Sequence, residues 1–174
     1  MELTIRPATH SDIPNLTVLG QQVWIATYAD EGIRDEFSKY VLEHFTPAKV
    51  EKDLDEHIWF VAESDGHLIG YVTIYIENKT PQCVLELSIG NVPEIRTLYV
   101  LERFLGQGVG FQLMNYAEEY LKQNGFHNVW LDVFSENDRA IRFYKRQGYK
   151  QVGSTYFEET GPRYENYVMV KEFV

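Results

Sequence analysis

Residues 99–123 read YVLERFLGQGVGFQLMNYAEEYLKQ and place glycines at 106, 108 and 110 between an apolar, strand-like run and a well-patterned helix. The start of a helix carries several main-chain N–H groups without partners, together with the positive end of the summed peptide dipoles. A turn stripped of side chains lets an anion approach those groups. The first chemistry on offer is therefore phosphate binding by the amides of residues 105 to 110. Tight strand-to-helix packing without a ligand uses the same glycines and stands beside it. Two familiar phosphate loops are disfavoured by spacing: there is no GxxxxGK[ST], and GQGVGF supplies no GxGxxG with a later acid closing a strand–helix–strand unit.

The elements that must position this turn follow from periodicity. LTIRPA reads as a first strand. The helix after it has Ser11 or Asp12 as cap and Ile13, Leu16, Leu19, Val23 and Ala26 at helical spacing. Residues 34 to 57 hold further amphipathic helical segments, broken where Thr46 suits an N-cap and Pro47 the first turn. The period then changes to two: IWFVAES, the turn Asp65-Gly66 and HLIGYVTIYIE predict a hairpin. Residues 78 to 91 read as a loop with one short extended piece. VPEIRTLYV is the strand entering the glycine turn, and a helix over about 108 to 124 stops at Asn124-Gly125. NVWLDVF is a strand, SENDRAIRFYKRQGY a capped helix closed by Gly148, and two final strands near 149–157 and 164–172 flank Thr160-Gly161-Pro162. This order predicts a mixed α/β or α+β sheet with helices on both faces.

Composition bounds the function. The chain has 174 residues, 44% of them hydrophobic, enough for one domain that buries roughly 70% of its unfolded surface. With 26 acids against 16 bases and a net charge of −10, nucleic acid is an unsuitable partner, and cationic small molecules suit it better. Cys83 is the single cysteine, so no intrachain disulfide forms and the CxxC pairs of zinc or redox sites are missing. His10, His44, His57, His67 and His127 share no ligand-like spacing, which predicts no metal site. The apolar runs fall short of the roughly 18 residues of a membrane span, and MELTIRPATHSD lacks the features of a signal peptide, so a cytoplasmic protein is expected.

In ENDRAIRFYKRQGYKQVG, Asn137, Ala140, Phe143-Tyr144 and Gly148-Tyr149 form the pattern N-x-x-A-x-x-F-Y-x-x-x-G-[FY]. With EIRTLYV and the glycine turn before it, the stretch 94 to 150 resembles the GNAT superfamily of N-acetyltransferases, which bind acetyl-CoA. The resemblance implies a GNAT fold: a mixed central sheet of about seven strands, splayed between strands 4 and 5 to admit pantetheine. It assigns main-chain contacts with pantetheine to Leu98, Tyr99 and Val100. The amides of Leu105, Gly106, Gln107, Gly108, Val109 and Gly110 would hold the pyrophosphate. The family signature [QR]-x-x-G-x-[GA] fits RFLGQG with Arg103 by letter, but the distance from the strand's last valine favours LGQGVG, in which Leu105 replaces the usual Gln or Arg.

The chemistry so implied is attack of a primary amine on a thioester. Such an amine, with a pKa of about 10, must first lose a proton. Glu94, six residues before Val100, matches the position of a catalytic glutamate in several GNAT enzymes; read alone it is a solvated strand carboxylate paired with Arg96. Tyr144 matches the phenol that protonates the departing thiolate; read alone it is a core aromatic beside Phe143. Asn137 joins the coenzyme contacts and is also a natural helix cap. A main-chain N–H near Leu98 or Tyr99, freed by a bulge, would polarise the acetyl carbonyl.

In this superfamily the helices after the first strand shape the acceptor pocket. Here they read VWIATYADEGIRDEFSKYVLEHF, and Trp24, Tyr28 and Glu31 are the candidate acceptor contacts, by cation–π and ion pairing. Core aromatics with solvated acids opposite are the competing reading. This segment and YVLERFLGQGVG are most similar to the spermidine/spermine acetyltransferase branch, which makes a polyamine-like amine the first expected acceptor. A protein N-terminus or an antibiotic amine follows, and a non-catalytic acyl-CoA-binding module is the rival. Family analogy adds a possible homodimer.

Overall fold

A computed structural model describes residues 2–77, 79–87, 91–158 and 163–173. Its elements in chain order are β1 (Leu3–Pro7), α1 (Ile13–Tyr28), α2 (Asp35–His44), α3 (Pro47–Glu56), β2 (Ile58–Ser64), β3 (His67–Tyr75), α4 (Gln82–Leu85), β4 (Glu94–Val100), α5 (Val109–Gln123), β5 (Asn128–Phe134), α6 (Asp138–Arg146), β6 (Lys150–Phe157) and β7 (Tyr164–Glu172). The seven strands form one mixed sheet in the order β1-β2-β3-β4-β5-β7-β6. β1 and β2 run antiparallel, as do β5 with β7 and β6 with β7, whereas β4 and β5 are parallel. The parallel ladder pairs Glu94 with Trp130 where both strands begin, and the Trp130 N–H donates to the Pro93 carbonyl at 3.0 Å. By contact density the chain divides into two compact units, Met1–Thr73 with Thr97–Ala117, and Ile74–Arg96 with Glu118–Val174. β4 thus begins in one unit and ends in the other.

In the first unit, Ile13, Leu16 and Leu19 of α1, Val50 of α3, Trp59 and Val61 of β2 and Tyr71 of β3 form one buried cluster, the apolar stripes that the helical and period-two spacings require. Thr46 caps α3 through its hydroxyl, which accepts from the Lys49 N–H at 3.2 Å, with Pro47 in the first turn. Asp65 and Gly66 both hold positive φ, 50° and 76°, as a tight hairpin turn demands.

The start of α1 is pinned electrostatically. Arg6 of β1 donates two hydrogen bonds to Asp12, at 2.8 and 2.9 Å, and two more to Glu63 of β2. Asp12 stands at the cap position, but its carboxylate serves Arg6 and the Thr9 N–H, not the amides of α1. The hydrogen bond from Arg6 is the main cause that lowers the Asp12 pKa from 3.8 to about 2. The folded pKa lies below the unfolded one, so the stabilisation is present above pH 4 and is lost as the pH falls toward 2. Asp12→Asn is expected to cost about 2 kcal/mol at pH 7, and the deficit should vanish near pH 2; urea denaturation across pH measures it.

In the second unit β5, β7 and β6 form an antiparallel ladder, with the irregularity of a β-bulge between Gln151 and Gly153. Val84, Val92, Trp130, Val168 and Val170 make its buried cluster. The expected extended piece within 78–91 is corrected here: Gln82–Leu85 is a single helical turn. The Pro81 carbonyl accepts from Val84 and Leu85, and burial of Val84 holds the turn in place. The short segment carries no period of its own, so tertiary burial decides its conformation. Asn78, residues 88–90 and the Thr160-Gly161-Pro162 turn lie outside the described residues.

Candidate active site

The first unit holds the glycine turn. After Val100 the Leu101 N–H still donates to the Ile69 carbonyl of β3 at 3.0 Å. A 3-10 turn, Glu102–Phe104, then lifts the chain away from the strand. Gly106 and Gly108 take φ of 75° and 83°, where a Cβ would meet no atom within 4 Å. The demand for glycine at these two positions is therefore one of backbone handedness. Gly110 already lies inside α5. The Gln107 side chain donates to the Arg103 carbonyl at 2.8 Å and braces the turn, while Val109 is buried and anchors the helix start.

Among the expected amide donors, Leu105 is a correction: its N–H is engaged with the Glu102 carbonyl at 3.1 Å. The N–H groups of Gly106, Gln107, Gly108, Val109 and Gly110 find no protein acceptor among the described residues. The first bond into the helix comes from Gln112 to the Gly108 carbonyl at 3.0 Å. No acidic residue occupies the first turn of α5, so nothing there offsets the positive end of the helix. Five consecutive unpartnered amides at a helix start suit an anion with several oxygens, such as a diphosphate.

The same unit carries the aromatic segment. Trp24 is only 4% exposed, with Tyr28 and Tyr40 each at 4.9 Å and Phe37 at 5.4 Å between ring centroids. Trp24 as an acceptor contact is therefore corrected: neighbouring rings of α1 and α2 cover it, and it serves the core between those helices. Tyr28 is half-buried and Glu31 is exposed, so both keep some access to solvent.

The second unit holds the ionisable groups. Glu94 is 3% exposed, and its Oε1 accepts from Arg96 Nη1 at 3.1 Å. The pairing read from the i, i+2 spacing is present, but the carboxylate is buried and not solvated. A residue missed in the sequence joins them, Asp132 of β5. With Glu94 opposite Trp130 in the parallel register, Arg96 and Asp132 take the next positions on that face. Burial is the main influence on Asp132 and pushes its carboxyl pKa up, against the pull of Arg96 and of a hydrogen bond from Asn166. Burial works to lower the Arg96 pKa, yet Glu94, Asp132 and Tyr75 raise it above its ordinary value. One guanidinium thus answers two carboxylates. The signal for Asp132 was available in NVWLDVF, an acid in the middle of an otherwise apolar strand.

On α6, Asn137 Oδ1 accepts from the Ala140 N–H at 3.1 Å, the cap geometry expected of it. Ile141 and Tyr144 are the buried face of this helix. The Tyr144 ring packs edge-on against Phe143 and Tyr149, with centroids at 5.3 and 5.8 Å.

The profile of the Acetyltransferase (GNAT) family matches residues 24–149, well over half of the chain. The chain belongs to the GNAT acetyltransferase family. That span takes in the glycine turn, Glu94 and the Asn137–Tyr149 motif. An uncharacterized N-acetyltransferase of Methanocaldococcus jannaschii is 37% identical over 100 residues, a match covering 56% of this chain and 41% of that protein. An N-alpha-acetyltransferase of Sulfurisphaera tokodaii is 33% identical over 101 residues, 56% of this chain and 59% of that one. A spermidine N(1)-acetyltransferase of Thermoplasma acidophilum is 24% identical over 157 residues, 86% of this chain and 89% of that one. The GNAT fold is shared with the PaiA N-acetyltransferase of Thermoplasma acidophilum, whose crystal structure contains coenzyme A, at a TM-score of 0.81 and 21% identity over 99% of this chain and 100% of that one. No helix among the described residues of this GNAT chain is long and apolar enough to cross a membrane.

Proposed function

We propose that this chain is a single-domain GNAT enzyme that moves an acetyl group from acetyl-CoA to a primary amine by direct attack, with a polyamine-like amine as acceptor. The observation that carries the coenzyme is the row of unpartnered amides from Gly106 to Gly110 at the start of α5. These amides fit the diphosphate, and the main chain of Leu98, Tyr99 and Val100 would bind the pantetheine arm. Bound there, acetyl-CoA supplies an activated thioester. Glu94 takes the proton of the attacking ammonium, directly or through water, with Arg96 fixing its orientation. Tyr144 donates its hydroxyl proton to the departing sulfur. Two carboxylates around one arginine favour a cationic acceptor. The likeness to the spermidine N(1)-acetyltransferase over most of both chains supports the same reading. A peptide N-terminus is the second reading, favoured by the N-alpha-acetyltransferase match.

Thiol release from acetyl-CoA over a panel of spermidine, spermine, aminoglycosides and short peptides tests this. Spermidine or spermine should give the highest kcat/KM. Binding of acetyl-CoA with no thiol released by any amine would make the protein a coenzyme-binding module instead. Tyr144→Phe should lower kcat about 100-fold and leave the KM for acetyl-CoA nearly unchanged, since the hydroxyl acts only as the sulfur leaves. An unchanged kcat would reduce Tyr144 to a packing role.

A further inference from the structure

The strand order leaves β1 and β6 as the outer strands, and their edges are built differently. β1 has five residues and closes on Arg6 and Pro7, a charge and a residue without an N–H, two of the devices that keep an edge from pairing with another chain. β6 has eight residues, KQVGSTYF, with no proline and a single charge, Lys150, at its first position. The bulge between Gln151 and Gly153 twists only the start of β6 and leaves residues 153–157 in regular register with β7, without a charge. Beyond that ladder, no main-chain group from Lys150 to Tyr156 makes a backbone–backbone hydrogen bond among the described residues. A strand of this composition with an unpaired edge is a template for one more strand.

The residues of this edge complement themselves. In an antiparallel pair of two copies about a two-fold axis at Thr155, Thr155 meets its own counterpart, Ser154 lies opposite Tyr156, and Gly153 lies opposite Phe157. A threonine pair is a favourable cross-strand contact, and an aromatic ring across from a strand glycine covers the surface which the glycine leaves bare. Gly153 cannot supply that cover itself, because a Cβ there would stand 2.8 Å from the Cys83 sulfur. Tyr156 is 50% exposed, although Arg163 of its own chain lies over the ring at 3.6 Å, so it has apolar surface to bury against the second copy. No like charges oppose one another over these five rungs. At the two ends, Lys150 of one copy approaches Glu158 of the other, an attraction that favours this register. We propose that β6 of one chain pairs antiparallel with β6 of a second copy, about Thr155, and joins the two sheets into one.

Analytical ultracentrifugation of the wild type and of Thr155→Lys and Thr155→Glu tests this. At about 100 μM the wild type should sediment at twice the chain mass of 20.4 kDa, in the weak association that a short edge interface implies. Each charged variant sets like charges opposite one another and should raise the dimer Kd about fivefold. Mixed in equal amounts, the two variants should recover at least the wild-type affinity as a heterodimer, a result that misfolded chains cannot give. Thr155→Cys fixes the register: opposed Cα atoms of an antiparallel pair stand about 4.5–5.5 Å apart, within the reach of a disulfide. With oxidised glutathione as the oxidant, reduced as the two thiols are oxidised, this variant should form a covalent dimer. The wild type, with Cys83 alone, should not. A wild type that stays monomeric at that concentration overturns the proposal. A dimer whose Kd neither charged variant changes, or a Thr155→Cys protein that never links through the substituted position, places the contact on another surface and overturns it as well.

Discussion

Glu94→Gln should lower kcat/KM for the amine acceptor by about 100-fold to 10,000-fold at pH 7 under the proposed base role, the range contributed by a positioned general base. A primary amine with a pKa of about 10 is almost wholly protonated at pH 7, so without a proton acceptor only a minute fraction can attack. The deficit should therefore shrink as the pH rises toward 10, where the amine loses its proton unaided. Gln keeps the size of the side chain and an oxygen to accept from Arg96, so the fold should survive; circular dichroism checks this. Asp132 supplies the control. It faces the same guanidinium, and burial raises its pKa above the usual carboxylate value, so it is the other candidate proton acceptor on that face. If Asp132→Asn abolishes turnover and Glu94→Gln does not, the base is Asp132 and Glu94 serves to orient Arg96. A Glu94→Gln profile parallel to the wild type at every pH would sink the base assignment.

Glu118→Ala should destabilise the fold by about 3–5 kcal/mol, the range for breaking a buried ion pair by removing one partner. Glu118 of α5 is 3% exposed. Its Oε1 accepts from the Tyr149 hydroxyl at 3.1 Å and its Oε2 from Lys171 Nζ of β7. Burial first, and the charge of Glu118 second, push the Tyr149 pKa well up, so the phenol stays protonated and keeps donating. Removal of the carboxylate leaves that hydroxyl buried without a partner and strands an ammonium whose side chain is 21% exposed. Chemical denaturation measures the loss, and Glu118→Gln, which retains an acceptor for Tyr149, should cost less. A midpoint for Glu118→Ala within experimental error of wild type would show that the network contributes nothing net.

Local signals account for much of what was legible in advance. The Asp65-Gly66 turn, the Thr46-Pro47 helix start, the Asn137 cap and the glycines at 106 and 108 each announce a specific backbone need within a few residues, and each has the geometry it announced. The readings that changed all depend on residues distant in the chain. Trp24 has the composition of a cation contact, but Phe37 and Tyr40 of another helix cover it. Glu94 has the spacing of a surface ion pair and is buried nonetheless. Asp132 joins it only because Glu94 and Trp130 share a ladder between strands more than thirty positions apart. The one-turn helix at Gln82–Leu85 exists because Val84 finds a buried cluster assembled from β5 and β7.

By itself the sequence determined most of the long helices and strands, the handed glycine turn before α5, and which family pattern the chain carries, because capping, period and φ preference act over one or two turns of backbone. Only the tertiary structure decided which carboxylates are buried and which aromatics are spent on packing. It also showed that the Leu105 amide is already engaged, whereas those of Gly106 to Gly110 find no protein acceptor among the described residues. Those outcomes turn on desolvation and on through-space partners, and a linear pattern specifies neither.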